Sequence, residues 1–415
     1  MWNVAPLFKL IYIVPYLVLL IVGMMLPSDG SHGLLNPKSL AFLAMISGLS
    51  IHVMLHQKMR LSEFRLIAFL LFSATFLLIW MMLGLGMEGS VSASVFDQFK
   101  IFWLTITVAI GSIYLVRSEI VSFQTVLKTV TYANFAFSFF KISLVALHFL
   151  NIIDIWSLLD RVGMRVMSMQ MIGSLFRLQL STDISTPFLL FFFLQAHRFG
   201  ITWNRFFFWL YLIITPLSVL LSFSRFLLGV AGLAIFFSIW TAQLRTFLKL
   251  IPLLSVFIIG SVALIGPVTV LKIVEKRFFS SDSSESDITR KIQIEALLKE
   301  HQESPLLGKG LGGYARELIR DDRILHSYEV QWVSFLMQFG VLGLSLILIP
   351  VFIIARKILS PPWNKRKLSL FCIYLCWIFS GFTNPFLISL ASGILYSLFF
   401  LAGEHLHDRY SLSHV

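Results

Sequence analysis

The chain has 415 residues, 57% hydrophobic and 13% charged, with a formal net charge of +12. Soluble chains carry about 25% charged residues, whereas twelve membrane helices of about 20 residues each would use about 240 positions, close to the hydrophobic share here. A soluble enzyme, a disordered chain and a disulfide-stapled secreted domain are therefore excluded.

The first apolar run, from about Leu7 to Leu26, is too long for the core of a cleavable signal. It ends at Pro27-Ser28-Asp29-Gly30 without a small-residue cleavage pattern, so it reads as the first span. Further apolar runs fall near 39–55, 65–86, 99–116, 125–150, 184–197, 206–223, 226–244, 247–271, 330–355, 368–384 and 387–403. The run at 184–197 is short and has Pro187 near its start. Two cysteines, Cys372 and Cys376, lie one helical turn apart in an apolar run. They are too few for a tetrahedral metal site or a disulfide framework and read as buried thiols.

Lys and Arg are retained in cytoplasmic loops, which sets the orientation. With the N-terminus inside, Lys58, Arg60, Arg65, Arg117, Arg198, Arg205, Arg245 and Lys249 fall on the cytoplasmic side. So do Arg356-Lys357 and Lys365-Arg366-Lys367. The expected fold is all-α: a polytopic integral membrane protein with about 12 transmembrane helices and both termini cytoplasmic. It reads as a single membrane domain over 1–415, with one long, partly helical outer loop at 272–329 between the ninth and tenth spans. Most of the excess positive charge lies in short cytoplasmic turns, where topology and anionic lipid account for it. No basic stripe with interleaved aromatics stands on a soluble module, so nucleic acid is excluded as a partner.

The loop at 272–329 holds 11 of the chain's 21 acidic residues and 10 of its 33 basic ones, so topology does not explain its charge. Polar loops of this length are functional or disordered. Ser280 to Asp287 reads as a flexible lead-in ending in a helix cap. From Ile288 to about Gln302, apolar residues recur at helical spacing until Pro305 stops the pattern. Gly308, Gly310 and Gly313 spell G-x-G-x-x-G, but no strand precedes them and no Ser or Thr follows Lys309 in the P-loop frame. These glycines read as a turn.

Several residues invite a chemical reading beside a plain one. His326 stands at the membrane edge where the loop meets the tenth span; a histidine there is ordinarily a surface or capping residue, and its placement makes it a candidate base. Arg225, in Ser222-Phe223-Ser224-Arg225, lies between two apolar runs, as a snorkelling interfacial arginine or as a fixed charge awaiting an anion. Arg290 falls in the first turn of the expected loop helix, where it opposes the helix dipole, held by Asp287 or by an anion. Arg161, Arg165 and Arg177 occupy an outer segment from about 151 to 183; the first two are i,i+4 neighbours, with Asp160 or Asp154 to offset them. Five outer arginines without matching acids suggest an anion site, with phosphate the natural ligand for planar guanidinium groups. His52 and His56 read as interfacial, and His405, His407 and His414 as part of a short tail. No serine triad, carboxylate pair or metal cluster stands at informative spacing, so no metal and no cofactor is expected.

Ser222-Phe223-Ser224-Arg225 at an outer hairpin, the Arg290 helix followed by Ser304-Pro305-Leu306-Leu307-Gly308-Lys309-Gly310, and His326 leading into Gln331–Gly343 form an ordered set. Over about 215–345 this set resembles the bacterial O-antigen ligase and O-antigen polymerase superfamily. Ligases commonly carry an Asn shortly after the His; here the string is His326-Ser327-Tyr328-Glu329, which favours polymerase. The resemblance implies an inverting, metal-independent glycosyltransferase in the bacterial inner membrane, its active site facing the periplasm. It would pass a glycan from undecaprenyl diphosphate to a sugar hydroxyl of another lipid-linked repeat unit or, as a ligase, to lipid A core in lipopolysaccharide biosynthesis. By the same resemblance, Arg225 and Arg290 hold the donor diphosphate, Arg177 with Arg161 and Arg165 assist, and His326 accepts the hydroxyl proton. Implied partners are the undecaprenyl-diphosphate-linked glycan, membrane lipids, and a chain-length regulator and flippase of the same pathway. A reading of another class is a lipid-linked oligosaccharide flippase or secondary transporter, supported by Lys128 and Lys141 in the fifth run.

Overall fold

In the computed structural model, the structure describes residues 5–26, 37–55, 60–87, 90–161, 166–172, 175–241, 282–320 and 324–412. The expected span at 247–271, Arg165, His56 and His414 lie outside them. The chain divides into two compact units. The first comprises Met1–Met24, Gly30–Thr129 and Arg290–Val415; the second comprises Met25–Asp29 and Val130–Thr289.

The first unit contains α1 (Ala5–Met25), α2 (Pro37–Leu55), α3 (Leu61–Gly86), α4 (Ser92–Arg117) and the start of α5 (Phe123–Phe149). After the second unit it resumes within α10 (Asp282–Glu303) and continues through α11 (Gln331–Ile358), α12 (Lys365–Phe379) and α13 (Leu390–Leu412). Contacts fix the helix directions. Phe102 of α4 packs on Phe335 and Phe339 near the start of α11, whereas Glu404 of α13 binds Arg117 at the end of α4 and Lys357 at the end of α11. Those three helices run parallel. α3 runs against them, with Ser118 donating to Glu63 at its start and Trp80 meeting Phe339 near its end. α4 has 26 residues, about 39 Å at 1.5 Å per residue, more than the hydrocarbon thickness of about 30 Å. Arg60, Arg117, Lys357, Glu119 and Glu404 gather at one end of this bundle, and the 304–330 segment lies at the other.

The second unit holds most of α5, then α6 (Ile155–Arg161), β1 (Val166–Ile172), β2 (Leu175–Leu180), α7 (Thr186–Leu194), α8 (Arg205–Leu221) and α9 (Arg225–Thr241). β1 and β2 pair antiparallel, with Met167 opposite Gln179 and Met169 opposite Arg177. The alternation in β2 turns Leu178 and Leu180 into a core with Phe137, Leu144, Val145, Ile155 and Leu159, and Arg177 and Gln179 to the other face.

Two expectations are corrected here. Among the described residues the chain is all-α apart from one two-stranded hairpin, which stands in the segment read as an arginine-bearing outer loop. The expected total of about 12 membrane spans is not found. Among the described residues, five helices are long and apolar enough to cross a membrane: Pro37–Met54, Leu61–Gly86, Ser92–Arg117, Phe123–Phe149 and Gln331–Ile358. Several apolar runs fold into shorter pieces. Thr186–Leu194 has nine residues, about 14 Å, and α8 and α9 have 17 each in the described part. Apolar run length overstates span count because polar and proline positions such as Asp183 and Pro187 end or delay a helix inside a hydrophobic stretch. Five membrane-length apolar helices are those of a multi-pass membrane protein.

Candidate functional site

The segment after α10 is fastened to a break in α11. Gly340 has φ 60° and ψ −172°, which interrupts the helix. In a regular helix the carbonyls of Met337 and Gln338 would accept from Val341 and Leu342. Instead they accept from Lys309 N–H (2.9 Å) and Gly310 N–H (2.8 Å), while Val341 and Leu342 donate to the carbonyls of Pro305 (3.0 Å) and Leu306 (3.1 Å). The break thus leaves these four backbone groups paired. Trp80 of α3 closes the assembly, its indole N–H donating to the carbonyls of Leu307 (2.8 Å) and Phe339 (3.2 Å), while Leu311 N–H donates to Trp80 O (2.9 Å). Gly310 adopts φ +78°, and a β-carbon there would collide with the backbone of Gly84. The glycines that spell a nucleotide-binding string are spent on backbone-against-backbone packing.

His326 sits beside this turn, nearly buried, with Nδ1 2.9 Å from Ser94 Oγ at the start of α4. Ser94 Oγ donates to Gly312 O at 3.4 Å. One turn further along α4, Gln98 donates to Gln338 Oε1 at 2.7 Å and accepts from Gly312 N–H, while Gln338 Nε2 donates to Gly313 O at 2.8 Å. Segments far apart in sequence therefore converge on His326. Lys309 pairs with Glu300 and, at 2.8 Å, with Glu303. Burial lowers the Lys309 amine from its ordinary range, and the neighbouring Arg316 adds to the effect. Tyr328 packs with Leu297, Ala315, Val330 and Met337. Its hydroxyl accepts from Ala315 N–H and donates to Leu318 O, and burial pushes it up to about 12.

Arg290 is not in the first turn of its helix. α10 begins at Asp282, taking in the serine tract expected to be a lead-in, so Arg290 lies more than two turns inside and does not oppose the N-terminal dipole. Arg290 Nε lies 3.2 Å from Glu329 Oε2, and Arg320 binds the other carboxylate oxygen at 2.8 Å. Gln293 accepts from Glu329 N–H (2.9 Å), so α10 holds the chain three residues beyond His326.

The remaining arginines belong to the second unit. Arg177 donates from Nε to Ser222 O (3.0 Å) and pairs with Gln179. It therefore secures the turn before Arg225, where Phe223 is forced to φ +43°, a strained value for a residue with a side chain. Arg225 begins α9, is half-buried, and has no acidic or hydrogen-bonding side-chain partner among the described residues. Arg161 is the last residue of the seven-residue α6, and its expected partner Arg165 lies outside the described residues. His326 and Arg290 are brought into one unit, and Arg177 and the Arg225 turn into the other.

Sequence reasoning missed Ser94, Gln98, Gln338 and Glu329. The signal for the first three was available: Ser94 and Gln98 are i,i+4 neighbours, and Gln338 interrupts an apolar run just before a glycine. Among the described residues no cluster of three or more His, Cys, Asp or Glu is arranged to hold a metal ion.

No family model, no curated protein and no solved structure matches this chain. The expected membership of the O-antigen ligase and polymerase superfamily is overturned by the span count, together with the lipopolysaccharide polymerase, ligase and flippase readings that accompanied it. Five membrane-length apolar helices among the described residues do not make the twelve-span topology on which those assignments rested.

Proposed function

We propose that the protein is a membrane-embedded glycosyltransferase using a polyprenyl-diphosphate-linked donor, with His326 as the proton acceptor. The observation that carries this reading is the Ser94–His326 contact within the Gln98–Gln338–Gly312 network. In the tautomer this reading requires, Ser94 donates to Gly312 O and accepts from His326 Nδ1–H, which leaves Nε2 as the acceptor. In the transfer, the acceptor hydroxyl gives its proton to Nε2 and its oxygen bonds to the anomeric carbon. The bond to the diphosphate breaks, and the electron pair leaves with the polyprenyl diphosphate.

The basic cluster of Arg60, Arg117 and Lys357 favours the cytoplasmic side of a bacterial inner membrane for that end of the first unit. α1 starts at the same end, because Tyr16 meets Ser112 and Gly23 meets Leu390, and α13 ends there. By this reading both termini are cytoplasmic, and His326, at the far end of α4, serves the periplasmic surface.

The test is turnover of purified full-length protein with a polyprenyl-diphosphate-linked oligosaccharide and a sugar acceptor. His326→Ala should lower the transfer rate about 10²–10⁴-fold, and Ser94→Ala should lower it less while shifting the acidic limb of its pH profile. Transfer at the wild-type rate by the His326 variant would remove the proposed base.

A further inference from the structure

A second polar assembly runs through the interior of the second unit and has no part in the chemistry above. On α5, Thr131, Asn134, Ser138 and Lys141 recur at helical spacing, and every one is buried. On α8, Tyr211, Thr215 and Ser218 do the same. The two stripes face each other: Asn134 Nδ2 donates to Tyr211 OH (2.8 Å), and Lys141 Nζ donates to Ser218 O (2.9 Å). From Thr131 to Lys141 the seam covers about 15 Å at 1.5 Å per residue, in the middle of a helix of membrane length.

Lys141 and Asp183 form an ion pair at 2.7 Å, both side chains wholly buried. Asp183 Oδ2 is served twice, by Lys141 Nζ and by Leu180 N–H at 2.8 Å. Asp183 Oδ1 has no hydrogen-bond donor among the described residues, and Thr131 Oγ1, Ser138 Oγ and Ser218 Oγ likewise have no partner there. Hydroxyls in other helices behave differently: Ser73, Thr105, Ser238 and Ser345 donate to the carbonyl four residues back. Thr131 and Ser138 do not, so both hydroxyls are left for another partner. Pro216 also removes one N–H from α8 within the seam, leaving the carbonyl of Leu212 without its usual donor. Buried polar atoms at this density call for water bonded to two to four of them.

We propose that the seam between α5 and α8 holds an internal chain of water inside the bilayer, and that this chain delivers protons to Asp183. A hydronium gives its proton to Asp183 Oδ1 and remains as water; Lys141 stays an ammonium, and the pair passes from net zero to +1. Lys141 on α5 and Arg177 on β2 are the charged groups that act on Asp183. Both are cations, so the carboxylate takes up its proton against positive charge, and the second unit is a proton-responsive element.

Hydroxyl-radical labelling of full-length protein in lipid nanodiscs, read residue by residue by mass spectrometry, tests hydration without any substitution. Tyr211 and Tyr374 are both fully buried, and Tyr374 stands outside the seam in the first unit. Tyr211 should label several-fold faster than Tyr374; equal rates would overturn the water chain. Ser138→Ala combined with Ser218→Ala should bring Tyr211 down to the Tyr374 rate. Infrared difference spectra between acidic and neutral pH should show a protonated carboxylic acid band that Asp183→Asn removes. An acid spectrum unchanged by that substitution would overturn the proton-accepting role of Asp183.

Discussion

The glycine turn at α11 and the polar seam at α5 both bury polar groups in a hydrophobic protein, but by opposite means. At α11 the polar groups are backbone, and the four exposed by the Gly340 break are all paired with the backbone of Pro305, Leu306, Lys309 and Gly310. At α5 the polar groups are side chains, and several have no protein partner among the described residues. The first arrangement is rigid and tolerates no added atom. The second is held by one ion pair and a few hydrogen bonds, and it leaves several polar atoms unpartnered among the described residues. The difference teaches that a buried polar site is read from its unsatisfied atoms as much as from its bonds.

Breaking the ion pair should have the largest effect. Asp183→Ala leaves Lys141 as a buried unpaired charge and should destabilise the protein by about 3–5 kcal/mol in thermal denaturation, whereas Lys141→Met with Asp183→Leu should recover most of that loss. A double variant as unstable as the single one would mean that the pair is not the unit holding the seam. Gly310→Ala comes next, at about 3 kcal/mol, because it combines a strained positive φ with a backbone collision. An Ala variant of unchanged melting temperature would show that the turn adapts. Trp80→Phe removes one donor shared by two carbonyls and should cost about 1–3 kcal/mol in the same measurement.

The smallest effect concerns pH. Tyr328 is pushed from its ordinary 10.0 to about 12 by burial, so the folded state retains a proton that the unfolded state releases. Its stabilising contribution should be intact below pH 10, decline above it and be gone beyond about pH 12. Tyr328→Phe should flatten that part of an alkaline denaturation curve; an unchanged slope would assign the pH dependence to other groups.

The sequence made the long apolar helices legible because their runs are long and uninterrupted, as at Leu61–Gly86 and Gln331–Ile358. It also made legible the charged end of the first unit, where Arg60 and Arg117 meet. The hairpin was present as an alternation in Leu175 to Leu180, but the arginines in that segment drew attention to charge instead of period. The start of α10 was set too late because a serine-rich tract reads as a loop unless its acids are credited with favouring a helix N-terminus. The partners of His326 and Trp80 were not legible at all. Ser94 lies 232 residues from His326, and the carbonyls that receive the Trp80 indole lie 227 and 259 residues beyond it. Local spacing carries no information about contacts of that range.

That range has a consequence for biosynthesis. Trp80 leaves the ribosome more than two hundred residues before either of its acceptors exists, which at about 5–20 residues per second is an interval of about 10–50 s. During that interval α3 waits in the lipid with its indole donor uncommitted, and Gly84 offers an open notch until Gly310 arrives to fill it. Insertion of the early helices and completion of this joint are therefore separate events in time, and a nascent chain arrested before residue 305 holds one half of a lock without its bolt.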